Sequence, residues 1–223
     1  SPNYKNVTIE VTDGYLEIDP ITDKVTVTVT EKSGSAVYNG QEHSVTGYKS
    51  MTADNTLYDV EKNVAEKPTK AWTAKGTDAG EYPVGIVSGD FRNTSKNFTN
   101  VEFVIVDGTL KIDPVSDKVT VTITGNNDTK VYNGKEQSVT DYTTDVGTKT
   151  IDVALKDGVK AEAKGTDVDT YYMGLTKDSF SVTSRNYSNI KVVVKDGWLK
   201  IDPIADKVTV TVTENSAAVT YDG

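Results

Sequence analysis

Lys-Val-Thr-Val-Thr occurs three times in this chain, starting at Lys24, Lys118 and Lys207. Other landmarks keep the same spacing. Ile-Asp-Pro begins at Ile18, Ile112 and Ile201, the glycine of Asp-Gly falls at Gly14, Gly108 and Gly197, and a tyrosine recurs at Tyr38, Tyr132 and Tyr221. From Ile18 to Ile112 is 94 residues and from Ile112 to Ile201 is 89. A period of this kind means one supersecondary unit used again and again, so whatever fold forms must form once per unit. Tyr38 to Gly76 spans 38 residues against 33 from Tyr132 to Gly165, and the copies stay in step afterwards. The five-residue difference therefore falls between about Tyr48 and Lys75, where a surface loop absorbs length cheaply. On this frame residues 1–20 are the C-terminal hairpin of one repeat, 21–114 and 115–203 are whole units, and 204–223 are the first strands of another. The expectation is a piece of a longer tandem array.

Within a unit the periodicity is that of strands. Val25, Val27 and Val29 alternate with Thr26, Thr28 and Thr30, a period of two in β-branched residues, which predicts a strand with one buried face. In VTIEVTDGYLEI an Asp-Gly pair favours a two-residue type I′ loop. A hairpin on Asp13-Gly14 would set Val11 opposite Leu16 and Ile9 opposite Ile18 on one apolar face. The same register works for Ile105 with Leu110 and Phe103 with Ile112, and for Val194 with Leu199 and Val192 with Ile201. HSVTGY, YPVGIVSGDF, YYMGL and SFSVTS also read as extended. IDVALKDGVKAEA reads as a second Asp-Gly hairpin, and its counterpart LYDVEKNVAEK, though able to pass for a short helix, is assigned strand by the internal match. Seven or so short strands in about 90 residues predict an all-β chain of tandem small Ig-like β-sandwich repeats, with a β-grasp-like half-open sheet as the alternative.

These residues also carry a family resemblance. VYNGQEHSVTGY (Val37 to Tyr48) and VYNGKEQSVTDY (Val131 to Tyr142), then KGTDAGEY and NFTNVEFVIVDGTLKI, resemble the MBG/YDG-type repeat of bacterial cell-surface proteins. The resemblance runs the length of the chain. The second unit departs from it at GTDVDTYY, where Val168 and Asp169 replace the small Ala79 and Gly80. It implies a large, wall-anchored adhesin of Gram-positive or related bacteria, with its repeats in tandem, and it implies no particular ligand.

The chemistry-bearing residues argue against an enzyme. His43 is the only histidine, and Gln137 occupies the matching place in the next unit. A triad needs a histidine to shuttle the proton, and no nucleophile elbow accompanies this one. Asp78 with Glu81, or Asp167 with Asp169, could form a carboxylate pair, but small tandem sandwiches seldom offer the cleft a glycosidase needs. NNDT and TDVDT are oxygen-rich loops without EF-hand spacing, so no calcium site is assigned. A Lys-Asn isopeptide staple between Lys24, Lys118 or Lys207 and Asn97 or Asn186 would need a buried lysine, whereas Lys24 shares the polar phase of Thr26 and Thr28. The sequons at Asn6, Asn93, Asn97, Asn127 and Asn186 are read as chance in a Thr/Asn-rich chain. Tyr38, Tyr132 and Tyr221 precede a glycine turn, where an aromatic commonly packs across the turn rather than binding a ligand. The residue after Asp-Gly varies as Tyr15, Thr109 and Trp198, which suits a surface position. No catalytic, cofactor-binding or metal-ligating residue is assigned, and no cofactor is expected.

Composition limits the partners. A net charge of −9 over 223 residues disfavours a nucleic acid backbone. There is no cysteine for a disulfide or a thiolate zinc site. No apolar run is long enough to span a bilayer, and the opening SPNYKN is not a signal peptide, so any targeting segment is expected outside this stretch. The expected role is a non-enzymatic stalk or spacer on the cell surface, with Pro20, Pro114 and Pro203 stiffening the short junctions between units. The alternative is a set of modules that each bind a host glycan or protein. Expected partners are the neighbouring repeats of the same chain, no nucleic acid, no membrane, and a second copy in head-to-tail self-association.

Overall fold

The computed structural model describes residues 2–68 and 70–223. It divides into two units, Ser1–Val115 and Ser116–Gly223. Each is all-β, built of small open sheets with almost no helix. In the first unit the strands are β1 (Val25–Glu31), β2 (Gly34–Val37), β3 (His43–Thr46), β4 (Tyr48–Ala53), β5 (Val64–Glu66), β6 (Thr73–Gly76), β7 (Gly80–Pro83), β8 (Phe91–Asn93), β9 (Val101–Val106) and β10 (Thr109–Asp113), with one helical turn, α1 (Val60–Asn63), before β5. The second unit repeats the strands as β11 (Val119–Gly125), β12 (Asn127–Val131), β13 (Gln137–Thr140), β14 (Tyr142–Asp145), β15 (Asp152–Leu155), β16 (Glu162–Gly165), β17 (Thr170–Tyr172), β18 (Phe180–Thr183), β19 (Ile190–Lys195) and β20 (Trp198–Asp202). Sheet orders match unit for unit: β4-β1-β9 with β14-β11-β19, β2-β10-β7 with β12-β20-β17, β3-β6 with β13-β16, and β5-β8 with β15-β18.

The Val-Thr alternation sets the core. Val25, Val27 and Val29 are fully buried while Thr26, Thr28 and Thr30 keep partial exposure. In the second unit Val119, Val121 and Ile123 are buried and Thr120 is exposed. Burying such side chains is worth about 1.5–3 kcal/mol apiece. Leu110 and Ile112 of β10 are buried against Val29 of β1, and Phe103 and Ile105 of β9 are half-buried against the same cluster. Leu199 and Ile201 are buried in the second unit, beside Ala163.

The expected Asp-Gly hairpin does not form. β9 and β10 are not partners. β9 runs parallel to β1, with Val101 opposite Val25 through Val106 opposite Thr30. β10 runs parallel to β2, with Leu110 opposite Gly34 through Asp113 opposite Val37, and antiparallel to β7 on its other edge. The two chains therefore cross side by side from one sheet to the other, one bending at Lys32-Ser33 and the other at Asp107-Gly108. The pairs Ile105–Leu110 and Phe103–Ile112 are not made, and the second unit follows suit, with β19 on β11 and β20 on β12. Gly108 is not in the left-handed region that a type I′ loop requires. Its glycine serves close approach instead: a Cβ there would lie 2.2 Å from the Lys32 carbonyl oxygen and 2.7 Å from Glu31 Cβ. No strand is assigned in residues 2–20 or 204–223, so no hairpin closes on Asp13-Gly14 either.

Two further expectations are corrected. Asp157-Gly158 makes a turn, closed by Val159 N–H to the Lys156 carbonyl at 3.1 Å, but β15 pairs with β18 and β16 with β13, so it joins two sheets rather than a hairpin. VEKN is helical in α1 rather than strand, because Asp59 caps it: its Oδ1 accepts from Glu61 N and Lys62 N at 3.1 and 3.3 Å. Thr52 faces Thr28 as Asp145 faces Thr122, and Val64 faces Asn93 as Val153 faces Val182, so four of the five extra residues of the first unit lie between Thr52 and Val64, in the loop that includes α1, and the fifth is in the bulge of β4 between Tyr48 and Ser50. Gly-Thr-Asp-x-x-x-Tyr is a packing device. The Tyr82 and Tyr171 hydroxyls donate to the Asp78 and Asp167 carbonyls at 2.9 and 3.2 Å. Their rings lie over Gly76 and Gly165, where a Cβ would come within 2.2 and 2.0 Å of ring carbons.

Gly108→Ala is expected to destabilise the first unit by about 1–3 kcal/mol through overpacking. Gly14→Ala, with nothing within 4 Å of its would-be Cβ, is expected to be neutral. Urea unfolding followed by Trp72 fluorescence checks both; equal midpoints for the parent and Gly108→Ala would refute the tight corner.

Candidate functional site

Two places gather polar side chains that the folding pattern alone does not require. The first is the corner where β1 and β9 leave their sheet. Glu31 falls on the inward phase of β1 and is only 4% exposed. Its Oε2 accepts from Gly108 N at 2.6 Å, and its Oε1 accepts from Ile86 N. Both N–H groups lie at the bend, where no ladder partner reaches them, and a buried donor left unpaired costs about 1–3 kcal/mol. In the second unit the matching residue is Gly125, and the carboxylate comes from elsewhere. Asp196 Oδ1 accepts from Leu175 N at 2.8 Å and Gly197 N at 2.9 Å, and Oδ2 from Gly174 N at 3.0 Å. Leu175 and Gly197 are the counterparts of Ile86 and Gly108, so the same two amides are satisfied by an acid at the bend between β19 and β20 rather than on the first strand. Gly125 leaves room for this: a Cβ on it would lie 2.5 Å from Gly197 N.

The second place is a groove of about 460 Å³ beside α1, lined by Tyr48, Lys49, Ser50, Met51, Val60 and Glu61 among others. Tyr48 donates its hydroxyl to Glu66 Oε1 at 2.7 Å. That bond first, then burial, then the nearby carboxylate charge push the phenol up to about 12. The loop before α1 is held by Tyr58, 4% exposed, whose hydroxyl donates to Asn93 Oδ1 at 2.9 Å and the Asn63 carbonyl at 3.1 Å, and whose ring meets Phe98 edge-on at 5.1 Å. The helical turn has no counterpart in the second unit, where Leu155 stands in place of Glu66. A groove with two carboxylates, Glu61 and the Tyr48-paired Glu66, one lysine and a phenol that stays protonated offers hydrogen bonds and charge to a ligand but no activated nucleophile.

The residues singled out in the sequence are dispersed. His43 lies on β3 with Nε2 3.0 Å from Asn39 Oδ1. Asp78, Glu81, Asp167 and Asp169 are exposed, and Asp169 Oδ1 accepts from Thr170 N at 2.7 Å. Asp128 of NNDT likewise accepts from Thr129 N at 2.8 Å. Among the described residues no group of three or more His, Cys, Asp or Glu is placed to hold a metal. Lys24 is 58% exposed and pairs with Glu102; Lys118 and Lys207 are exposed; Asn97 is exposed, while Asn186 is buried with its Nδ2 3.1 Å from Thr150 Oγ1. Asn93 is unsuited to a glycan, since its Nδ2 donates to the Phe98 carbonyl at 2.7 Å. Asn6 and Asn127 are exposed. Tyr38 and Tyr132 pack against core clusters, whereas Tyr221 is 91% exposed. Tyr15 is 87% exposed, and Thr109 and Trp198 are half-buried on strands. One further buried acid, Asp90, accepts from Trp72 Nε1 at 2.8 Å and Val87 N at 3.2 Å; in the second unit Ser179 and Ala161 replace the pair.

Glu31, Asp196 and the Tyr48–Glu66 bond were not singled out in the sequence. For Glu31 a signal exists: it is an acid on the inward phase of a Val-Thr alternation. The Tyr48 phenol is expected to ionise well above the ordinary tyrosine value. Its folded value lies above the unfolded value of 10.0, so its contribution to stability is complete below that pH and is lost as pH rises toward about 12. Ultraviolet titration of Glu66→Gln should bring one tyrosine back toward the ordinary range; an unchanged titration would show that the bond does not control Tyr48. No family model matches the chain, and no curated protein matches it.

Proposed function

We propose that these units are non-enzymatic stalk or spacer repeats of a large bacterial cell-surface protein of the adhesin kind, extracellular and anchored to the cell wall in its full length, and that they are related to the MBG/YDG-type repeats. The observation that carries this reading is the recurrence of one strand order in two units, whose large difference among the described residues, the α1 loop, lies off the paired first and last strands. A spacer needs the same frame each time and no shared ligand site. The junction supports it as well: only five residues, 114–118, separate β10 from β11, and the first is Pro114, whose fixed φ stiffens a short linker. Each unit reads as a small Ig-like sandwich, since side chains of β1 and β10, from different sheets, share one core. The β-grasp-like half-open sheet is the alternative, favoured by sheets of only two or three strands.

The groove at Tyr48 favours a second reading, in which units bind a host glycan or protein. Against it, the groove depends on a loop present in one unit, whereas repeated binding modules should share their site. The end segments bear on self-association. Residues 7–19 match β9 and β10, and 208–220 match β11 and β12, with Val7, Ile9 and Val11 at 65–81% exposure and Val208, Val210 and Val212 at 80–83%. Between copies these would pair in the same parallel register. They would supply only the four crossing strands and not the middle of a unit, so the association is weak, in line with the instability of isolated strand pairs.

Small-angle scattering tests the stalk. A compact 223-residue globule has a radius of gyration of about 17 Å; the chain is expected well above that, and a value near it would sink the spacer reading. Binding of the purified chain to host glycans would instead favour the second reading. Light scattering at high concentration should show weak self-association that disappears when residues 1–20 are deleted; association that survives the deletion would rule out the end segments as its cause.

A further inference from the structure

We propose that each unit is a mechanical clamp that bears tension along the chain. This goes beyond the spacer reading and rests on it only for where the tension would come from. The first and last stretches of a unit lie side by side and run the same way. In the first unit the contact starts at Ile21, whose N–H donates to the Asn97 carbonyl at 2.8 Å. It continues through six paired positions of β1 on β9 and four of β2 on β10, and closes with Tyr38 N–H on the Asp113 carbonyl at 2.9 Å. In the second unit six positions of β11 on β19 and five of β12 on β20 end likewise, with Tyr132 N–H on the Asp202 carbonyl at 2.9 Å.

The direction of load follows from this topology. A pull on the N-terminal side draws β1 backwards along its own axis, and a pull on the C-terminal side draws β10 and β9 forwards. Parallel neighbours pulled in these opposite senses are sheared, so every hydrogen bond of the seam is loaded together. Strands pulled apart from one end would lose their bonds singly. A slip also has no soft intermediate. Moving one residue, about 3.3 Å, turns Val25, Val27 and Val29 out of the core and Thr26 and Thr28 into it. The arch adds a second obstacle, because the bend at Lys32 rests against Gly108 with no room to slide.

The two units differ in one part of the clamp. Glu31 sits on the first strand of the seam and binds Gly108 N on the last, so its bond crosses the sheared line. Asp196 binds Gly174, Leu175 and Gly197, none of which is on β11, so its bonds do not cross it. The first unit is therefore expected to resist more force than the second if the carboxylate contributes.

Single-molecule pulling on the full chain tests this. Loaded through its two ends, the chain should show two unfolding events, each releasing roughly 300 Å at up to ~3.6 Å per residue. The chain has no cysteine, so Lys24→Cys with Asn100→Cys gives clean attachment at the same end of β1 and β9, where both residues are exposed. Load applied there unzips the seam, and rupture is expected at a several-fold lower force than end-to-end. Lys118→Cys with Asn189→Cys repeats the test in the second unit should the first variant fold poorly. Equal forces in the two geometries would overturn the clamp. Glu31→Gln should lower the end-to-end force of one event, whereas Asp196→Asn should lower thermal stability without lowering the force of the other; equal effects of both on force would remove the carboxylate from the clamp. A clamp that fails while scattering still shows an extended particle leaves the spacer reading standing, and the reverse result separates them the other way.

Discussion

The fold depends on satisfying two backbone amides at a bend. When adjacent strands turn together from one sheet into another, the ladder is interrupted for both, and N–H groups at the corner lose their partners where water cannot replace them. An ionised side chain is a strong acceptor for such donors. Glu31 supplies it in one unit and Asp196 in the other, each reaching the Ile86 or Leu175 amide and the Gly108 or Gly197 amide. The demand belongs to the backbone geometry, and the sequence can meet it from the end of the first strand or from the bend after the ninth. The exchange is coordinated with size: Asp107 stands in the first unit where Asp196 stands in the second, and where Asp196 takes over the amides, the Glu31 position shrinks to Gly125 and the glycines meet face to face.

The same logic runs through other differences between the units. Trp72 fills space and brings a donor, and Asp90 is the acceptor placed for it. Where Ala161 removes the indole, Ser179 suffices to hold the tight turn, its Oγ accepting from Thr176 N at 3.0 Å. Gly47 and Asp141 occupy one left-handed position before β4 and β14, with φ of 77° and 73°. Aspartate is among the few non-glycine residues that tolerate it. Each pair keeps the backbone path and changes the chemistry that supports it.

Much of this was legible in the sequence, and the parts that were not share a cause. The repeat frame and the inward phase of Val25, Val27 and Val29 follow from periodicity, which the buried face of a strand enforces locally. The Asp-Gly hairpin failed because turn propensity is also local, while the parallel seam is a long-range choice. β9 finds a partner 76 positions away in β1, and Gly108 was selected for the space beside Lys32 rather than for φ. The register arithmetic came out right for the wrong pairing: an arch, like a hairpin, puts Phe103, Ile105, Leu110 and Ile112 around one core. α1 was misread because the internal match has no counterpart for an insertion. Glu31 was overlooked although its phase marked it as buried, since an acid at a strand end is usually solvent-exposed.

The long reach of the seam also governs how such a chain is born. A ribosome emits β1 with its three valines long before β9 exists to cover one edge of it, so each unit stays open until nearly its last residue has emerged. By then the next Lys-Val-Thr-Val-Thr is close behind, with an almost identical alternation and the same claim on β9. A late-arriving copy competing for an acceptor built for an earlier one is the setting for misassembly between neighbouring repeats. The corner is one point at which the two competing first strands differ, with Glu31 in one and Gly125 in the other.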